Sequence, residues 1–147
     1  MNRKLILVLV ILSLTTVVVL PRLYFRALRH FGTRTADSLM IINTAQVIYA
    51  RTHPDKGFAS SLAELGPSPG AELIDVVLAR GKKSGYVYVL TAMPADFSGR
   101  VTHYTLVARP EKYSPETASF FTDETGVERF TFENRAPTAN DRVRATE

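Results

Sequence analysis

The sequence predicts an α+β chain in which a long N-terminal helix lies on a four-stranded antiparallel sheet. Three observations predict it. "LILVLVILSLTTVVVL" (5–20) carries no charge, and residues 41–49 repeat apolar side chains at helical spacing. From residue 86 onward, runs of β-branched and aromatic residues follow one another with no helical stretch between them. A helix followed by strands, without alternation of the two, specifies an antiparallel layer.

Each element has its own warrant. The apolar run of 16 residues would span about 24 Å as a helix, and extension through "PRLYF" to Phe25 brings it to about 32 Å, enough for the hydrocarbon core of a bilayer. Arg22 can reach the interface from there, and Tyr24 and Phe25 fall at headgroup depth. Residues 1–25 are therefore expected to be a transmembrane helix in contact with the lipid bilayer. Pro21 can kink such a helix without ending it. Residues 26–52 are expected to continue it as an amphipathic half, with Ile41, Ile42, Ala45, Ile48 and Tyr49 packed on the sheet and Asn43, Thr44 and Arg51 pointing away. Pro54, Lys56 and Gly57 end the pattern.

A globular domain over 53–133 follows. "SSLAEL" (60–65) predicts a short helical turn with serine at its start, "GPSPG" (66–70) breaks it, and "AELIDVVLA" (71–79) predicts a second short helix. "YVYVLTA" (86–92), "THYTLVA" (102–108), "ASFFTD" (118–123) and "VERFTF" (127–132) are the four predicted strands, the last two joined through "ETG". "NRAPTANDRVRATE" (134–147) has almost no apolar content and is expected to be a disordered tail.

Composition excludes several function classes. Six of the 18 Lys and Arg precede Asp37 and none of the 14 acidic residues does, so the remainder holds 12 basic against 14 acidic side chains. The positive balance thus belongs to the N-terminal arm, and no folded face collects the Lys, Arg and aromatics that a nucleic-acid partner requires. The chain has no cysteine, which removes disulfides, thiolate metal sites and a cysteine nucleophile. His30, His53 and His103 are scattered without metal-ligand spacing, and no phosphate-binding or nucleophile-elbow motif is present. Asp123 and Glu124 lack the spacing of a calcium loop and suit a hairpin turn. His53 with Asp55 is the nearest approach to a catalytic pair, but it stands beside Pro54 with no nucleophile in reach of the pattern. No catalytic, metal or cofactor site is therefore expected.

The apolar N-terminal stretch followed by "SLMIINTAQVIYARTHPDKGFASSLAELG" resembles the type IV pilin-like and type II secretion pseudopilin proteins of bacteria. "ELIDVVLARGKKSGY" and "FFTDETGVERF" extend the likeness over roughly residues 21–132. The resemblance implies a pilin-like fold and a non-enzymatic structural subunit or accessory, with other pilin-like subunits or inner-membrane components of a secretion or pilus system as partners. It departs from the family at instructive places. Counting back from Pro21, the leader cut falls just before Met1 and the early acidic residue of the family falls at Lys4, so an unprocessed, diverged member is expected. Ser60 and Phe121 stand where related sequences often place cysteines. Lys4, Ser13, Thr15, Thr16 and Pro21 are the expected anchor and helix-assembly residues, the small or polar ones because helices in lipid associate by close packing.

The charge distribution alone would leave the C-terminal domain in the cytoplasm. The resemblance implies the opposite: a single-pass protein of the bacterial inner membrane, its N-terminus cytoplasmic and its C-terminal domain periplasmic. Two alternatives are a membrane-anchored periplasmic binding module that keeps the fold without polymerising, and a small tethered hydrolase using His53, Asp55 or His103.

Overall fold

Six strands, not four, form the sheet. The computed structural model describes residues 34–67 and 72–144. Helix α1 covers 34–52, and the short helices α2 (Leu62–Leu65) and α3 (Val76–Ala79) follow it. The strands are β1 (Lys82–Lys83), β2 (Tyr86–Ala92), β3 (Tyr104–Pro110), β4 (Ser119–Asp123), β5 (Arg129–Thr131) and β6 (Arg142–Val143). They lie in the order β1-β2-β3-β4-β5-β6, every neighbour antiparallel, so the sheet is an uninterrupted meander.

Two additions correct the four-strand expectation. β1 is too short to show a period. It forms because Ser84 and Gly85 both hold positive φ (53° and 78°), the conformation that folds a two-residue hairpin back with the right twist. β6 lies in the stretch expected to be a disordered tail. Apart from the buried Pro137, this segment is ordered by hydrogen bonds. Arg135 forks onto Asp141, the Thr138 N–H donates to the same carboxylate at 2.7 Å, and Arg129 Nη1 donates to the Asp141 carbonyl at 3.1 Å. Arg144 Nη1 then pairs with Glu128 at 2.9 Å.

The helix also differs from expectation. Among the described residues the N-terminal element is a short helix over 34–52, about 28 Å at ~1.5 Å per residue, and not the long helix expected. Its inner side carries Thr35, Ser38 and Gln46 among the apolar residues. Among the described residues no helix is long and apolar enough to cross a membrane, which overturns the single-pass inner-membrane placement and the periplasmic position that depended on it. The segment expected to span, residues 1–25, lies outside the described residues.

The core lies between α1 and one face of the sheet. Leu39, Ile42, Ala45 and Tyr49 from the helix cluster with Tyr86, Tyr88, Tyr104, Leu106, Ala108 and Phe120 from the sheet. Leu62, Leu65, Ile74 and Leu78 from α2, α3 and their connection close one side. Along β2 and β3 every second residue points inward, so Val87, Val89 and Val107 face the other side of the sheet.

α1 stops where the sequence breaks. His53 N still donates to Tyr49 O at 2.9 Å, but Pro54 has no N–H to continue the ladder. Gly57 then turns at φ +76° and lies so close to Val101 that an added Cβ would stand 2.2 Å from its carbonyl oxygen. Here the chain after the helix forms a parallel bridge with Val101. α3 is capped by Asp75, whose carboxylate accepts from Val77 N and Leu78 N. α2 has no such serine cap. Ser60 Oγ instead donates to Glu64 at 2.5 Å, reversing the expected roles.

Candidate interaction surfaces

The segment "INTAQ" (42–46) fixes how α1 sits. Gln46 is fully buried, its Nε2 donating to the Ala59 carbonyl at 3.1 Å and its Oε1 accepting from the Ala59 N–H at 2.7 Å. Asn43 reaches the sheet: Nδ2 donates to Thr122 Oγ1 at 3.0 Å, and Oδ1 accepts from the Tyr104 hydroxyl at 3.0 Å. The expectation that Asn43 points away is therefore corrected. Asn43, Gln46 and Tyr104 were not singled out from the sequence as a set. The available signal was two amides three residues apart inside an otherwise apolar helical run.

Burial and charge set the protonation of these groups. Burial, reinforced by the nearby Glu124 and Asp123 carboxylates, raises the Tyr104 phenol well above its ordinary range, so it stays a donor to Asn43. Burial also acts to raise the Glu124 carboxyl, but the hydrogen bond from His103 at 2.6 Å and that from Tyr104 N outweigh it and hold the group below its usual value. Glu64 follows the same logic, its burial outweighed by hydrogen bonds from Ser60 and the Tyr49 hydroxyl.

The five residues expected to pack α1 on the sheet divide into two sets. Ile42, Ala45 and Tyr49 are buried, whereas Ile41 is 44% and Ile48 41% exposed. The reason is angular. Residues 35, 38, 39, 42, 45, 46 and 49 share the arc that faces the sheet, and Ile41 and Ile48 each stand one residue, ~100°, away from it. They belong to a second stripe with Met40, Thr44 and Val47, also exposed and also at helical spacing. α1 is thus apolar on two sides, and only one is covered by the described residues. Lys4, Ser13, Thr15, Thr16 and Pro21 lie outside the described residues.

Of the residues considered for catalysis or cation binding, His53, His103 and Asp123 hold structural contacts, and Asp55 is exposed at the turn after α1. The His53 ring stacks on Tyr49 with centroids 4.2 Å apart, and its Nδ1 lies 3.1 Å from Tyr49 O at the helix end. Asp123 Oδ1 accepts from the Thr125 N–H and hydroxyl, shaping the β4–β5 turn that closes at Gly126. His103 is an exposed partner of Glu124. His30 is outside the described residues. Among the described residues, no group of three or more His, Asp or Glu is placed to hold a metal ion.

No family model, curated protein or solved structure matches the chain. The functional reading therefore rests on this geometry and on the likeness of the sequence segments.

Proposed function

We propose that this chain is a non-enzymatic, pilin-like structural subunit or accessory of the pseudopilin type, working in a type IV pilus or type II secretion assembly. Its assembly surface is the outer stripe of α1. The observation that carries this reading is the row of Met40, Ile41, Val47 and Ile48, which are 58%, 44%, 42% and 41% exposed on a helix whose opposite face is tied to the sheet. Side chains at this spacing interdigitate with those of another helix, and burial of the exposed part of each is worth roughly 1 kcal/mol. The rigid attachment through Gln46 and Asn43 supports the same role, because a subunit surface must keep its shape when its partner leaves. Helices of other pilin-like subunits are the expected partners, in keeping with "INTAQVIYA" and the ordered segments after it.

The test replaces Ile41 and Ile48 together by glutamate in the full-length chain. Both residues are half exposed, so folding is expected to survive and the thermal midpoint to stay within a few degrees. Co-purification with its assembly partners is expected to be lost. Retention of those partners by a folded Ile41→Glu, Ile48→Glu chain would contradict the proposal.

A further inference from the structure

Phe97 is the most exposed large apolar residue among those described, with a relative exposure of 115%. It stands at the tip of the loop joining β2 and β3, and that loop is firmly built. Asp96 Oδ1 accepts from Ser98 N (2.8 Å), Ser98 Oγ (2.6 Å) and Arg100 N (3.0 Å), and Asp96 N donates to Arg100 O at 2.8 Å. The base is tied to the chain after α1 through Val101 N to Lys56 O at 2.8 Å and Phe58 N to Val101 O at 2.9 Å. A benzyl side chain held in water forgoes roughly 1.5–3 kcal/mol of burial.

The outer face of the sheet carries a matching hollow. It measures about 440 Å³, is floored by Val87, Val89 and Val107, and is flanked by Arg109, Glu111 and Tyr113. The hollow runs from the Tyr86–Pro110 end of the hairpin to its midpoint at Val89–Val107, and the loop leaves the other end, where Ala92 pairs with Tyr104. Phe97 is fully exposed and is not among the residues that line the hollow of its own chain.

Charges match across the two. The side-chain hydrogen bonds of Asp96 all use Oδ1, leaving Oδ2 without a hydrogen-bond partner among the described residues. The Arg109 guanidinium makes one long bond, 3.4 Å to Asn134 Oδ1. Arg100, on the same loop as Phe97, is exposed, and the Glu111 carboxylate on the rim of the hollow pairs with the exposed Lys82 at 3.3 Å.

The geometry points to a head-to-tail contact between copies of this chain, in which Phe97 of one copy enters the valine-floored hollow of the next, with Asp96 set against Arg109 and Arg100 against Glu111. Knob and hollow are different patches on one molecule, so the contact is heterologous and leaves a free knob and a free hollow at the two ends of every open assembly. Such a contact extends into a filament or closes into a ring. It rests on the structural-subunit reading given above, but it uses the sheet and its loop, not α1.

Two single variants of the full-length chain test it by sedimentation. Phe97→Ala removes the knob and keeps the hollow; Val89→Arg fills the hollow and keeps the knob. Both positions are exposed, so neither change threatens the core. Each variant alone is expected to lose self-association by about tenfold or more, as for truncation of an aromatic anchor. Mixed in equal amounts, the two are expected to form dimers and nothing longer, because only one sound knob and one sound hollow remain per pair. A wild-type chain that stays monomeric, a Phe97→Ala chain that associates as wild type does, or a mixture without dimers would overturn the contact. Repeating the mixture with Ile41→Glu and Ile48→Glu in both chains separates the two readings. Dimers formed there depend on the sheet contact alone, whatever the helix variants do to partner capture.

Discussion

Gln46→Leu tests whether a buried amide, as well as apolar packing, holds α1 in place. Leucine nearly fills the volume of glutamine, so little cavity is left and the loss is polar. The Ala59 N–H and carbonyl, in a residue with 0% exposure, lose their partners at 2.7 and 3.1 Å. Leaving a buried backbone group unpaired costs about 1–3 kcal/mol, so the two together cost roughly 2–5 kcal/mol after the gain from apolar burial is allowed for. A domain of this size has only about 5–15 kcal/mol in total. At roughly 4 °C per kcal/mol, thermal unfolding followed by circular dichroism should show the midpoint falling by about 8–20 °C. Gln46→Glu adds a directional check. A carboxylate facing the Ala59 carbonyl is repelled and buried, so its pKa is raised in the folded state, and the variant should regain stability relative to wild type as pH falls and the group protonates. A Gln46→Leu chain within ~1 kcal/mol of wild type would refute the reasoning.

Other consequences follow from single features. Gly57→Ala should destabilise by ~2 kcal/mol or more, because its Cβ would meet the Val101 carbonyl at 2.2 Å at a φ of +76°, whereas Gly85→Ala, at a similar φ with nothing within 4 Å, should cost only about 1 kcal/mol; chemical denaturation of both separates steric clash from backbone strain. Tyr88→Phe should leave stability unchanged or raise it by up to ~1 kcal/mol in the same assay, since the Tyr88 hydroxyl is buried without a hydrogen-bond partner among the described residues. The carboxyls of Glu64, Asp75, Asp96, Glu124 and Asp141 are all held below their ordinary values by hydrogen bonds, Asp141 chiefly by Arg135. Groups depressed in the folded state stabilise it above the ordinary carboxylate range, near pH 4, and lose that contribution as pH falls through the depressed values. Thermal midpoints measured from pH 7 to 3 should therefore be level down to about pH 5 and then fall, the β4–β5–β6 end of the sheet loosening last because Asp141 is the most strongly depressed.

Much of the folded core was legible because it obeys simple periods. The strand over 86–92 follows from its β-branched and aromatic residues, and the end of α1 from Pro54 and Gly57. What escaped was held by other means. β1 exists because Ser84 and Gly85 accept positive φ, a property of two turn residues and not of the two lysines that form the strand. β6 exists because arginine and aspartate side chains order a segment that composition marks as disordered. Ile41 and Ile48 were assigned to the core because an apolar count does not reveal that a helix has two apolar arcs, and the sheet covers only one. Asn43, expected to point away, and Gln46, to which the sequence assigns no role, take their value from Thr122, Tyr104 and Ala59, which lie elsewhere in the sequence.

The central claim is that the outer stripe of α1 meets another pilin-like chain. With no native cysteine in the sequence, a single Thr44→Cys places one thiol in the middle of that stripe. Oxidative cross-linking of this full-length variant in the cells that make it, read by mass spectrometry, tests the claim directly. The account predicts a disulfide-linked or cysteine-directed adduct to a second pilin-like chain, lost when Ile41 and Ile48 are replaced by glutamate. A Thr44→Cys chain that stays free while an Arg80→Cys control, at an exposed position after α3, is captured would contradict it.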